Sequence, residues 1–175
     1  MGLALSSILQ ELGISRAMLE VRGLSECAEP VALVEAEVGD DGRSHWLVPE
    51  AAKAWRSMKA DAAKSGIALV VVSAFRSVER QAEIVGRKCA RGEAIEAVLR
   101  VCAPPGYSEH HTGCAVDVTV RGEAPLQAGF ALTPAFAWLE VHAADFGFYL
   151  SFPENNPQGY VFEPWHWCYR SDGMA

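Results

Sequence analysis

No stretch of this sequence approaches the roughly 18 consecutive apolar residues that a membrane-spanning helix needs. An excess of positive charge is missing too: Lys and Arg total 15 against 22 Asp and Glu, a net charge of -7. No basic surface for nucleic acid is evident from that composition. Arg and Lys do gather between Arg76 and Arg91, but glutamates interleave with them. That pattern reads as a solvated helix face rather than a phosphate site. The cysteines Cys27, Cys89, Cys102, Cys114 and Cys168 are scattered, odd in number and form no C-x-x-C pair. This argues against a cysteine-rich zinc site or a dense disulfide framework and leaves at most one pairing open. They read as small buried hydrophobes. Repeats and low-complexity linkers are absent. The start, MGLALSSILQELGIS, has neither a basic opening nor a long apolar stretch, so as written it does not read as a secretory signal.

What is there suits one globular domain with a core. The chain has 175 residues, 50% of them hydrophobic, and 21% are charged, which argues against wholesale disorder. Ser7 and Gln10 form an S-x-x-Q capping box with Gly13 as the stop, predicting a short N-terminal helix. VALVEAEV from Val31, the Asp-Gly turn signal in GDDGR and the returning SHWLV predict a hairpin. PEAAKAWRSMKADAAKSG has Pro49 at its start, an alanine-rich interior and Gly66 as its stop, and predicts a helix. IALVVVSAF from Ile67 reads as a buried strand. A helix follows from Ser77, its N-cap, and a second short one, EAIEAVLRVC, precedes Pro104-Pro105. CAVDVTV from Cys114 is strand-like. TPAFAWLEVHAADFG predicts a helix capped by Thr133 and Gly147, and FYLSF and YVFEPWHWCYR supply aromatic strands. Strands and helices mix without strict alternation. That favours an α+β fold, with a central, mainly antiparallel sheet and helices packed against it. Residues 1–65 form the opening helix, hairpin and helix, and residues 66–175 the remaining core of the same domain.

The chemistry concentrates in PGYSEHHTGCAVDV, Pro105 to Val118. Asp117 lies in an apolar strand, sharing a face with Ala115 while Val116 and Val118 take the other. A carboxylate facing a core must be paired, hydrogen-bonded or metal-bound. Further on, EPWHW holds Glu163 and His166 three positions apart. A regular strand would point them to opposite sides, and Pro164 disfavours a helix, so a shared site requires the chain to bend at Pro164. Two His and one Asp can form a zinc site with a position left for water. Such a site needs a further carboxylate to move a proton, and Glu163 is tethered beside His166.

These residues fall into a pattern. Ser108, His110, Gly113, Ala115 and Asp117 meet S-x-H-x-x-G-x-A-x-D, and Glu163, Trp165 and His166 meet E-x-x-W-H. SAFRSVERQ is similar to S-G-Y-R-S-x-x-x-Q, with Ala74 and Phe75 replacing Gly and Tyr. The chain thus resembles the VanY-type D-alanyl-D-alanine carboxypeptidases from about Ser73 to Tyr169. That group is related to the D-Ala-D-Ala dipeptidases, lysostaphin-type peptidases and the hedgehog amino-terminal domain.

The resemblance implies one zinc ion on His110, Asp117 and His166, with Glu163 as general base and acid and Arg76 stabilising the oxyanion. It places Ser108, Gln81 and Tyr107 along the substrate wall, while Trp165 orients His166 by packing. His111, where the family often has Gln, would point away on a strand, with contact to substrate or to a metal ligand as the lesser alternative. Glu109 reads as a solvated loop charge, with support of a metal ligand as its alternative. The implied reaction is removal of a terminal D-alanine from a peptidoglycan stem peptide or precursor, by a monomer that needs no nucleic acid. The alternatives are an endopeptidase or L,D-carboxypeptidase on the same site, a zinc-bound recognition domain without catalysis, and a structural His-Asp pair without metal. With no export signal visible, the sequence as written reads as cytoplasmic, whereas a substrate in mature cell wall would place it in the periplasm or cell envelope, and the compartment stays open between them.

Overall fold

The structure is a computed structural model and describes residues 4–39 and 41–171. Residues 172–175, the end of the core expected at 66–175, lie outside the described residues. Helix α1 is Leu5–Glu11 and stops at Gly13, whose φ of +72° suits glycine. There Ile14 N–H reaches Leu9 C=O at 2.9 Å and Gly13 N–H reaches Gln10 C=O at 3.0 Å, closing the helix end in a left-handed cap. The start differs from expectation. Ala4 is the capping position and makes no side-chain bond, so the box expected of Ser7 and Gln10 does not form and both residues lie inside the helix. Leu5 packs tightly over Gly106, and that tertiary contact holds the extra turn. A second short helix, α2 (Arg16–Glu20), follows, capped by Ser15.

Strands β1 (Val34–Val38) and β2 (Ser44–Leu47) form the expected antiparallel hairpin, beginning later than Val31, which is fully exposed. Helix α3 (Pro49–Lys64) buries Ala51, Trp55, Met58 and Ala62, one face at helical spacing. Strand β3 (Leu69–Ser73) leads to helix α4 (Val78–Ala90), where Ser77 Oγ accepts from Arg80 N–H at 3.1 Å. After α5 (Ile95–Val98), a 3-10 turn at Glu109–Thr112 runs into strand β4 (Ala115–Val120). Helix α6 (Pro134–His142) is capped by Thr133 as predicted, and a 3-10 turn carries it on to Gly147. Strands β5 (Phe148–Leu150) and β6 (His166–Tyr169) complete the chain.

The main sheet runs β3-β4-β6-β5, and every neighbouring pair is antiparallel. This is the α+β arrangement that the sequence predicts. Val116 and Val118 point to one face, where α3 and α6 close a core with Trp55, Met58, Leu139, Phe148 and Trp167. Each such side chain contributes about 1.5–3 kcal/mol when fully buried. The opposite face of β4 carries Ala115 and Asp117. A smaller cluster of Ile14, Leu19 and Leu99 ties α1 and α2 to α5. Among the described residues no helix is long and apolar enough to cross a membrane, and all five cysteines are free.

Candidate active site and metal centre

The antiparallel register sets Asp117 of β4 directly opposite His166 of β6. Cross-strand partners share a sheet face, so both side chains emerge on the polar face, His166 Nδ1 lying 2.9 Å from Asp117 Oδ1. His110 arrives from the 3-10 turn before β4. That turn is opened by Ser108, whose Oγ accepts from His110 N–H at 3.4 Å, and closed by Gly113 at φ +68°. A side chain at Gly113 would run into Leu33 and Val48, so glycine serves both the backbone and the packing there. His110 Nε2 stands 3.1 Å from Asp117 Oδ2. The three residues are at most 5% exposed, and their potential ligand atoms lie within 4.8 Å of one another.

The donor set fits a cation. His110 Nδ1 is 2.7 Å from Ala74 C=O, which can only accept, so Nδ1 carries the proton. Burial holds this imidazole below its usual range, despite the opposing pull of Asp117. Nε2 therefore keeps its lone pair facing a carboxylate oxygen. Two buried acceptors facing each other need a positive charge between them. Asp117 stays ionised: burial opposes this, but the charge on His166, which against its own burial Asp117 and Glu109 hold up to about 10, keeps the Asp117 carboxyl far below the ordinary range. Nitrogen, oxygen and nitrogen donors at this spacing suit zinc, with the side toward the cavity open.

Glu163 reaches the site through the bend required at Pro164. His166 N–H bonds Glu163 C=O at 3.0 Å, a turn with Pro164 in its second position, and Trp167 Nε1 donates to Pro164 C=O at 3.0 Å. Burial pushes the Glu163 carboxyl up to about 7, against the attraction of His166. A carboxylate in that range can both take and return a proton near neutrality.

A cavity of about 450 Å3 opens over these groups. Arg76, Gln81, Ser108, His110, Asp117, Glu163 and His166 line it, together with Glu109, Phe152, Tyr160 and Trp165. Arg76 Nε, Gln81 Oε1 and Tyr160 Oη are buried and have no hydrogen-bond partner among the described residues. Gln81 Nε2 donates to Ala103 C=O at 2.6 Å, which orients the amide and leaves its oxygen without a partner.

Some expected residues stand elsewhere. Tyr107 is not among those lining the cavity. The turn at Gly106, φ +83°, carries it toward the cluster of Ile14, Leu19 and Leu99, and its hydroxyl meets Glu26 Oε1 at 3.3 Å. His111 lies in the 3-10 turn rather than on a strand and is fully buried. Gly106 N–H donates to its Nε2 at 3.1 Å and its Nδ1 donates to Arg76 C=O at 2.6 Å, so both nitrogens are used in holding the backbone beside Arg76. Glu109 is no solvated loop charge: its Oε2 lies 2.9 Å from His166 Nε2. Burial opposes ionisation there, but His166 draws the carboxyl down to about 2. Two rings pack on His166: Phe152, with centroids 4.8 Å apart, and His110, edge-on at 5.0 Å. Glu109 had one signal in the sequence, its place between Ser108 and His110. Phe152 and Tyr160 had none beyond aromatic character.

The family model described as VanY, D-alanyl-D-alanine carboxypeptidase, matches residues 44–172. YodJ of Bacillus subtilis (strain 168) is 35% identical over 147 residues, covering 78% of this chain and 50% of that protein. The chain spans half or less of the length of the first three curated relatives it matches. The solved structure of the LdcB LD-carboxypeptidase, described in terms of peptidoglycan recognition, aligns with a TM-score of 0.73 and 32% identity over 81% of this chain and 69% of that one. A mutant of the vancomycin resistance D,D-pentapeptidase VanY, from a VanB-type cassette and in complex with Zn(II), aligns with a TM-score of 0.65 and 25% identity over 83% of each chain.

Proposed function

The chain belongs to the VanY family of D-alanyl-D-alanine carboxypeptidases, and from that membership we propose that it is a zinc-dependent peptidase removing the terminal D-alanine from peptidoglycan stem peptides or their precursors. The observation that carries this reading is the buried convergence of His110, Asp117 and His166 beside Glu163 in one cavity. The Zn(II) complex of the VanY relative supports the choice of metal.

His110, Asp117 and His166 would hold the zinc ion. When bound, zinc supplies Lewis acidity to the scissile carbonyl and lowers the pKa of water at the site. Glu163 takes the proton of the attacking water on a carboxylate oxygen and later returns it to the leaving amine nitrogen. Oxygen of water bonds to the carbonyl carbon, the C–N bond breaks, and the products are free D-alanine and a shortened peptide. Arg76 donates to the oxyanion as charge develops there; its unpaired Nε is a buried donor that this interaction would satisfy. Ser108 accepts from the backbone and so retains its hydroxyl proton for the terminal carboxylate of the substrate. Gln81 has its carbonyl oxygen unpartnered in the cavity, which suits it to accept a peptide N–H.

L,D-carboxypeptidase activity is the second reading, favoured by the likeness to LdcB. Mass spectrometry of purified muropeptides, incubated with the zinc-loaded protein, separates the two. Loss of one alanine from pentapeptide stems marks D,D-activity, and loss from tetrapeptide stems marks L,D-activity. Cleavage of cross-links instead would reassign it as an endopeptidase, and no cleavage of any stem would leave a zinc-bound recognition domain.

A further inference from the structure

The reaction above makes no use of Glu109, yet the fold delivers its carboxylate to the metal site. Glu109 opens the 3-10 turn that also presents His110, and its Oε2 lies 2.9 Å from His166 Nε2, across 57 positions of sequence. Its side chain is 27% exposed, against 4% for His166. The His166 ring is thereby held at three places. Asp117 Oδ1 is 2.9 Å from Nδ1, Glu109 Oε2 is 2.9 Å from Nε2, and Phe152 packs against the ring with centroids 4.8 Å apart. An imidazole offers a metal one nitrogen, and the hydrogen bond made by the other nitrogen decides which. Both nitrogens face a carboxylate, but only Nδ1 faces Asp117, whose other oxygen lies 3.1 Å from His110 Nε2. An ion held by all three residues takes the Nδ1 side, and the proton stays on Nε2, where Glu109 accepts it.

We propose that Glu109 is a positioning residue of the metal centre: it holds the Nε2–H form of His166 and so commits Nδ1 to the ion shared with His110 and Asp117. This rests on the zinc reading given above. The role differs from that of a structural ion pair in what it controls. Glutamine at this position keeps an acceptor for Nε2–H but loses the charge. Alanine and methionine lose both, methionine keeping most of the volume, so failure of one to fold leaves the other.

The test measures zinc affinity of the full chain by competition with a chelator, for wild type and for Glu109→Gln, Glu109→Ala and Glu109→Met. Thermal melting of each metal-free protein reports folding separately. Loss of the acceptor should weaken zinc binding about 10–100-fold. Glu109→Gln should fall between these variants and wild type, a partial rescue that a purely structural role would not give. Wild-type zinc affinity in a folded Glu109→Ala or Glu109→Met protein overturns the proposal. Cleavage of a D-Ala-D-Ala-terminated peptide by the wild type is scored on its own. A wild type that binds zinc but cleaves nothing removes the functional reading and leaves the zinc comparison to decide Glu109. A wild type that takes up no zinc overturns both.

Discussion

The two faces of strand β4 answer to different physics. On one, Val116 and Val118 meet Trp55, Leu139 and Phe148, and what matters is volume and the exclusion of water. On the other, Asp117 meets His110 and His166 within 3.1 Å, and what matters is that each buried polar atom finds a partner of opposite character. Both faces are equally buried, since Asp117 is 5% exposed and Val118 not at all. Burial therefore does not distinguish stability from chemistry here. Side-chain polarity, alternating along one strand, does.

That contrast can be broken from either side. Asp117→Ala should have the largest effect. It leaves two buried histidines without their shared carboxylate and destabilises the metal-free fold by about 3–5 kcal/mol, while zinc retention falls well below one equivalent. Denaturant unfolding and elemental analysis check both. Glu163→Gln should instead separate chemistry from stability, lowering kcat about 10²–10⁴-fold with zinc content and melting temperature retained. Residual turnover near wild type would remove Glu163 as the base.

In the wild type, kcat/KM should fall as pH drops, with a midpoint at or below about 7. Protonated Glu163 cannot accept a proton, and the charge of a nearby zinc ion can only lower the value of about 7 that burial gives it. A pH-rate profile checks the direction. On the apolar face, Leu139→Ala should cost about 2–5 kcal/mol of stability yet leave zinc stoichiometry unchanged in the folded fraction. The smallest effect belongs to His111→Gln. Glutamine offers one donor and one acceptor, as His111 does to Arg76 C=O and Gly106 N–H. Stability should shift by less than about 1.5 kcal/mol, whereas His111→Leu leaves a buried N–H and a carbonyl unpaired at about 1–3 kcal/mol each.

Much of this contrast was legible in the sequence. The alternation in CAVDVTV put Asp117 and the valines on opposite faces, and Pro164 announced the bend that brings Glu163 to His166. Other features were not legible. Ser7 looked like a helix cap, but packing of Leu5 over Gly106 extends α1 past it. Tyr107 adjoins the site residues in sequence, yet the left-handed turn at Gly106 sends it to a different cluster. Glu109 looked solvated because its partner, His166, lies in a strand far along the chain.

The sequence by itself determined the elements, their faces and the kinds of donor present, because hydrophobic period, caps and ligand chemistry are local properties of the chain. Only the tertiary structure decided which donors meet: the β4–β6 register that sets Asp117 against His166, the turn that swings Glu109 onto the same ring, and the burial that raises the Glu163 carboxyl. The reason is physical. Hydrogen bonds and pKa values depend on separations of a few ångströms and on the exclusion of water, and both are fixed by residues distant in sequence.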